Sequence, residues 1–375
     1  MKLTEREEFL ADFMVQYPVA DMRTMCMAVE GIFSPNPFAK NALTKGSYTV
    51  RNMVAKRLMS SRKDGYYSLH KKVVNEFYDL EPYYKVNGSE STRKRIACVA
   101  WIAAVMRAMG VSLYYDESEV SFACSTVWRS LNPVVSNTSR YAGVLNLCIE
   151  KYAVYDVSDS NMLWQREAEE SLFIQTPKNK NVSLDGILML TDKSLTEQTI
   201  DIVLRSIKSN RGWKKPKVHS FSLKSYAPIT VSKNFKRAYL MNYKDFARQI
   251  GVGLLLKHTG ARGWIEKYFD NQFSFENSGA FDCVIYGKKA FWYYNNDVIK
   301  LMTMITLANN LDKEIAVVCD YRLKDIVEFF LQDKVAIYVI EKEFYTQRGL
   351  DKNGINNFNI AERIAKSIKN REGGE

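Results

Sequence analysis

A mixed α/β fold is what this sequence predicts. Three observations carry it: helical apolar periods over residues 4–58 that end in a basic turn and a strand, short continuously apolar runs after residue 139, and the alternation of those runs with further helical periods. The order read from them is an N-terminal helical module followed by two β-β-α-β-α-β units. The expected division is 1–85 for the module, 86–138 for a helical connector, 139–225 for the first α/β unit, 226–279 for a linking segment, and 280–375 for the second unit with its tail.

Thr4 precedes Glu5, Glu7 and Glu8, so a capping hydroxyl is followed by carboxylates where the helix dipole favours them. Phe9, Leu10, Phe13 and Met14 then repeat at helical spacing, and Pro18 closes the segment. Residues 19–32 continue with Met22, Met25, Cys26, Val29 and Ile32 on one side, a second helix facing the same core. Pro35, Pro37 and Gly46 punctuate a loop, which leaves about fourteen residues between the second and third helices. Ser47 is expected to cap the third, with Val50, Met53, Val54 and Leu58 facing inward and Arg51, Asn52, Lys56 and Arg57 facing outward. Lys63-Asp64-Gly65 supplies turn chemistry after Arg62, and 66–69 reads as a returning strand. Helices closed by a basic hairpin outline a winged helix-turn-helix, whose third helix needs one packed face and one face of donors for phosphates and base edges. A small helical cap with a merely basic surface has the same helix pattern, and the hairpin directly after the basic helix favours the winged form.

Beyond the hairpin, 71–135 reads as helical around the linker-like 85–91. Thr92 is expected to open a helix whose first turn holds Arg93, Lys94 and Arg95, three cations against the dipole that a phosphate or Glu90 could offset. Runs at 141–149 and 152–157 are β-like, followed by a helix around Trp164, a strand at 186–190, a helix capped by Ser194 and a strand at 218–223. The second unit repeats the order: paired strands at 281–286 and 289–294 around Gly287, a helix at 298–308, a buried strand at 316–319, a helix at 323–331 and a strand at 335–340. Apolar strands between helices imply a sheet covered on both faces. A basic loop at 208–217 adds Arg211, Trp213, Lys214 and Lys215, cations that can track phosphates beside an aromatic that can stack.

Lysine and arginine outnumber aspartate and glutamate by 53 to 42 in 375 residues, a net charge of +11 that favours a polyanionic partner. The N-terminus carries no apolar signal core, and the longest apolar run, 96–106, is too short to span a bilayer, so a cytoplasmic protein with no membrane partner is expected. Six scattered cysteines form no Cys-x-x-Cys pair and read as buried thiols. No metal and no cofactor are expected.

A β-β-α-β-α-β unit beside a DNA-binding module invites comparison with the restriction-endonuclease-like fold. That chemistry needs an acidic residue on one strand and Glu-x-Lys on the next, to hold a divalent metal and position the attacking water. The first unit has Tyr152-Ala153-Val154-Tyr155 where Glu-x-Lys should fall. The second has Asp282, but its partner strand reads Ala290-Phe291-Trp292-Tyr293-Tyr294. No phosphate loop or nucleophile elbow occurs, and Gly251-Val252-Gly253 lacks the third glycine of a dinucleotide fingerprint. Asp185-Gly186 and Asp320-Tyr321-Arg322 at strand edges read as turns and caps. No catalytic residue is assigned.

The helical module, then Ser139-Arg140-Tyr141-Ala142-Gly143-Val144-Leu145, the strand Tyr152-Ala153-Val154-Tyr155-Asp156 and Trp164, resemble the replication-relaxation type proteins of plasmids and integrative conjugative elements, over roughly residues 1–205. The resemblance implies a DNA-binding accessory protein that helps initiate replication or processing at an element's origin. It implies an α/β part nuclease-like in shape without a dependable active site. Double-stranded DNA is the expected partner, with a homodimer or a replication or transfer protein as the second. A divergent metal-dependent nuclease and a ligand-responsive transcription regulator are the alternatives.

Overall fold

Helix α1 (Glu5–Gln16) begins at a reciprocal cap: the Glu7 amide donates to the Thr4 hydroxyl, and the Glu7 carboxylate accepts from the Thr4 amide. The computed structural model describes residues 2–34, 40–78, 90–108, 110–114, 116, 120–131, 141–147, 150–157, 184–191, 193–210, 237–242, 262–276, 281–310 and 315–348. A short strand, β1 (Ala20–Asp21), follows α1, and the Asp21 carboxylate accepts from the Thr24 amide to cap α2 (Met22–Phe33). Residues 24–30 of α2 are buried all round because α1, α3 (Lys40–Ala55) and a longer helix, α5 (Glu90–Ala108), surround it. Arg23 lies 4.4 Å from the Trp101 ring centroid and Arg107 lies 4.6 Å from that of Phe9, so α5 is pinned to both α1 and α2.

The third helix starts earlier than its sequence suggests. Gly46 and Ser47 lie inside α3, where the Ser47 hydroxyl donates to the Thr44 carbonyl instead of capping. Gly46 is there because α2 passes close by: a Cβ would stand 2.8 Å from Cys26 Cα. The expected fourteen-residue gap thus shrinks to residues 34–39. Strands β2 (Met59–Ser61) and β3 (Tyr66–Leu69) form the antiparallel hairpin, and β1 pairs with β3, which gives a small sheet in the order β1-β3-β2. Helix α4 (Lys71–Tyr78) follows directly.

Among the described residues that follow are two five-stranded sheets with the same strand arrangement. The first runs β4 (Val120–Cys124), β5 (Gly143–Leu147), β6 (Lys151–Asp156), β7 (Gly186–Thr191), β8 (Arg237–Asn242), with helix α6 (Ser125–Leu131) after β4 and α7 (Leu195–Asn210) between β7 and β8. The second holds β9 (Phe273–Ser274), β10 (Cys283–Ile285), β11 (Lys288–Tyr293), β12 (Ala316–Asp320) and β13 (Ala336–Ile340) in the same sequential order. Around it lie α8 (Arg262–Tyr268), α9 (Val298–Asn310), α10 (Lys324–Leu331) and α11 (Lys342–Gln347). In each sheet the first three strands are antiparallel and the last three parallel.

Each unit therefore gains a leading strand over the expected β-β-α-β-α-β. Val120–Cys124 lies in the stretch expected to be a helical connector, and it is a fully buried strand. A short apolar run reads alike as helix or strand until a partner is known. The strand beside β7 is β8, inside the expected linking segment, and the expected strand at 218–223 and the helix around Trp164 lie outside the described residues. Strand alternation sends Phe291, Tyr293, Val317 and Cys319 into one apolar cluster with α7, α9 and α10, while Ala290, Tyr294, Ala316 and Val318 face the other. Both clusters draw residues from both sheets.

Candidate nucleic-acid interface

From Gly31 to Asn75 the chain carries nine lysines and arginines and one carboxylate, Asp64. Helix α3 lies inside this stretch. It buries Val50 and Met53, and it turns Thr44, Lys45, Tyr48, Arg51, Asn52 and Ala55 to solvent. Tyr48, a large aromatic, is 61% exposed. Lys45 and Tyr48 were hidden in the sequence because the segment before Ser47 reads as a loop; once the helix begins at Lys40, the spacing 45, 48, 52 places them on the face of Asn52. Beside that face an open cleft of about 360 Å³ is lined by Thr4, Arg6 and Glu7 of the α1 start and by Lys45, Tyr48, Thr49 and Asn52.

Of the residues expected to face DNA, Arg51 and Asn52 stand exposed on α3. Lys56 differs. Its ammonium donates to both Glu7 oxygens, at 2.7 and 2.8 Å, and Glu7 is only 2% exposed. Burial alone would push the Glu7 carboxyl up, but the Lys56 hydrogen bond and the Thr4 contacts outweigh it and hold it below the ordinary carboxylate value. Lys56 therefore fastens the end of α3 to the start of α1. Arg57 takes the left-handed backbone conformation (φ 56°), with its amide on the Val54 carbonyl and the Leu58 amide on the Met53 carbonyl. That is a Schellman stop, usually made by glycine.

At the hairpin turn Arg62 accepts from the Gly65 amide and donates to the Tyr66 carbonyl through its backbone, and Gly65 carries the positive φ (82°) that the turn demands. Lys63 is exposed at the tip. Arg93 reaches this turn from α5: its Nε donates to Asp64 at 2.7 Å. The expected conflict of Arg93, Lys94 and Arg95 with the dipole is reduced, because α5 begins at Glu90, which puts a carboxylate in the first turn and leaves Lys94 and Arg95 beyond it. Lys94 pairs with Glu90 at 2.8 Å on an exposed surface, and Arg95 is exposed. Arg211, Trp213, Lys214 and Lys215 lie outside the described residues.

Asp282, the acidic position considered for nuclease chemistry, and Asp185 and Asp320, at strand edges, each have other partners. Asp282 accepts from the Trp292 amide at 2.9 Å and from Lys300 at 2.6 Å. Asp185 accepts from the Lys151 amide, and Asp320 caps the turn after β12 while gripping Arg322 with both oxygens. Among the described residues no group of three or more histidines, cysteines, aspartates or glutamates could hold a metal ion. Cys26, Cys124, Cys283 and Cys319 are buried and free of disulfides, and burial pushes the Cys26 thiol up to about 11 and those of Cys283 and Cys319 up to about 12. No described helix is long and apolar enough to cross a membrane.

Compared with known proteins, the chain matches no family model, no curated protein and no solved structure.

Proposed function

We propose that residues 1–85 are a winged helix-turn-helix that binds duplex DNA, and that this binding is the protein's function. The observation that carries it is the solvent face of α3: Lys45, Tyr48, Arg51 and Asn52 project from a helix free of carboxylates, braced by α1 and α2 and followed by a basic hairpin. The order α1-β1-α2-α3-β2-β3, with only residues 34–39 between α2 and α3, suits a helix carried into the major groove and a hairpin laid on the backbone. Arg51 and Asn52 have the side chains that pair bidentately with guanine and adenine edges, and Arg57, Arg62 and Lys63 suit phosphates.

The two five-stranded units serve dimerisation or the docking of a replication or transfer protein, with a nuclease-like shape put to non-enzymatic use. With the sequence resemblance noted above, the reading is a cytoplasmic accessory protein of a mobile element, acting in replication or DNA processing at an origin.

Fluorescence anisotropy with a mixed-sequence duplex, followed by selection of preferred sites, tests the reading. Replacing Arg51 and Asn52 together by alanine is expected to weaken binding to the selected site by tenfold or more and to relax base preference at two positions, since each bidentate contact is worth about 1–3 kcal/mol. Unchanged affinity and unchanged preference in the double variant would overturn it.

A further inference from the structure

Helix α3 presents two surfaces that meet at Tyr48. Around its axis, at about 3.6 residues per turn, Tyr48 falls between Arg51 on one side and Asn52 and Lys45 on the other. Arg51 faces open solvent outside the cleft, whereas Tyr48, Asn52, Lys45 and the buried Thr49 line it. One side of the helix can therefore enter a groove, while the other closes a concave space of about 360 Å³ against the start of α1.

The α1 wall of that space is fixed by its own pairings. Arg6 donates to Glu30 at 2.5 Å and lies 5.1 Å from the Phe33 ring centroid, and Glu7, the one carboxylate lining the cleft, is neutralised by Lys56. The α3 wall is different: the side chains of Lys45, Tyr48 and Asn52 make no hydrogen bond or ion pair with a described residue. Along the axis they run cation, ring, amide, spaced by about 4.5 and 6 Å at about 1.5 Å per residue. One nucleotide presents phosphate, base face and base edge in that order. A paired base has both faces covered by its neighbours and offers none to Tyr48, whereas an unpaired base can stack on the ring whatever its identity. The space is near the low end of the range of about 300–1,000 Å³ for small-ligand sites, which suits one nucleotide and excludes a duplex.

We propose that the cleft between α1 and α3 holds one unpaired nucleotide of DNA, its base stacked on Tyr48, its edge on the Asn52 amide and its phosphate on Lys45. The inference rests on the reading of α3 as a DNA-contacting helix and deepens it: the preferred DNA is a duplex interrupted by an unpaired base. A free nucleotide shares the chemistry of the site but lacks the paired flanks that the hairpin would hold.

Titrating the full chain by fluorescence anisotropy against a paired duplex, and against the same duplex carrying one bulged adenosine, tests it. The parent is expected to bind the bulged duplex about fivefold or more tightly than the paired one, the low end of what base–aromatic stacking supplies. Tyr48→Ala should bring the two affinities to parity, and Tyr48→Phe should keep the preference, because the ring and not the hydroxyl stacks. The thermal midpoint of Tyr48→Ala should match the parent's, since the side chain is mostly exposed, so a lost preference is not misfolding. Free adenosine monophosphate at a concentration equal to the bulged duplex should not displace it; displacement would assign the cleft to a small nucleotide and overturn the DNA proposal. Parity in the parent, or a preference that survives in Tyr48→Ala, also overturns it, and the α3 reading stands if Arg51→Ala/Asn52→Ala still weakens binding to the paired duplex. If the parent binds neither duplex, both fall.

Discussion

Lys56 and Arg57 are neighbours in sequence with different tasks. Lys56 neutralises the buried Glu7, whereas Arg57 stays exposed in a backbone conformation that costs a non-glycine residue about 1 kcal/mol. Lys56→Ala is expected to leave the Glu7 carboxylate buried with only its Thr4 contacts and to destabilise the fold at neutral pH by about 1–3 kcal/mol. The pH dependence has a definite sign. Glu7 is held below its ordinary value of 4.5, so its contribution is present above that pH and is lost as pH falls through the lower folded value. Urea denaturation of parent and variant should therefore differ at pH 7 and converge on strong acidification. A stability gap independent of pH would show that the lysine matters through its aliphatic stem and not its charge.

At the scale of elements, α3 decides most of the proposed interface, and its N-terminal half was the hardest part to read. Glycine and serine at 46 and 47 look like a loop end and a cap, and local chemistry alone supports that. What overrides it is the approach of α2, which leaves room for a glycine hydrogen and nothing larger. Gly46→Ala therefore pits a helix-propensity gain of up to about 1 kcal/mol against a Cβ placed 2.8 Å from Cys26 Cα. The neighbour is backbone and cannot swing aside, so the clash wins and a net loss of about 1–3 kcal/mol is expected. Thermal denaturation showing a more stable Gly46→Ala protein would mean that α2 and α3 stand further apart. The C-terminal half of α3 was legible: Val50, Met53 and Leu58 face the core as their spacing implies, and Arg51 and Asn52 face solvent. The hairpin was legible too, since Asp64-Gly65 makes its turn chemistry local.

For the whole molecule, the decisive contact is a polar latch between the two α/β units. After β11 the chain passes through Asn296, in a left-handed conformation, and its side-chain amide donates to the Thr199 hydroxyl on α7 and to the Leu240 carbonyl on β8. Asp297 then accepts from the Ala238 amide of β8 and from the Ile299 and Lys300 amides at the start of α9. It caps a helix of the second unit and closes the edge of the first sheet with one carboxylate. Burial pushes that carboxyl up to about 6, against the pull of the Ala238 and Lys300 amides and of the Lys300 and Arg237 charges. A raised value means that stability is greatest below the ordinary 3.8 and is lost as pH rises through about 6. Asp297→Asn retains an acceptor oxygen without the charge, so its stability relative to the parent should rise between pH 4 and pH 7, by on the order of 2–3 kcal/mol. A relative stability that stays flat across this range would show that the carboxylate is better solvated than its burial implies.

By itself the sequence determined the mixed α/β class, the caps of α1 and α7, the basic hairpin and the buried parallel strands, because each rests on periodicity or turn chemistry within a few residues. Tertiary structure alone decided the true start of α3, the pairing of Lys56 with Glu7, the strand identity of Val120–Cys124, and the bond from the His70 amide to the Leu58 carbonyl. These depend on which distant segments meet: a close helix contact, a buried carboxylate awaiting a counter-charge, or a free sheet edge awaiting a strand. No local pattern encodes the partner.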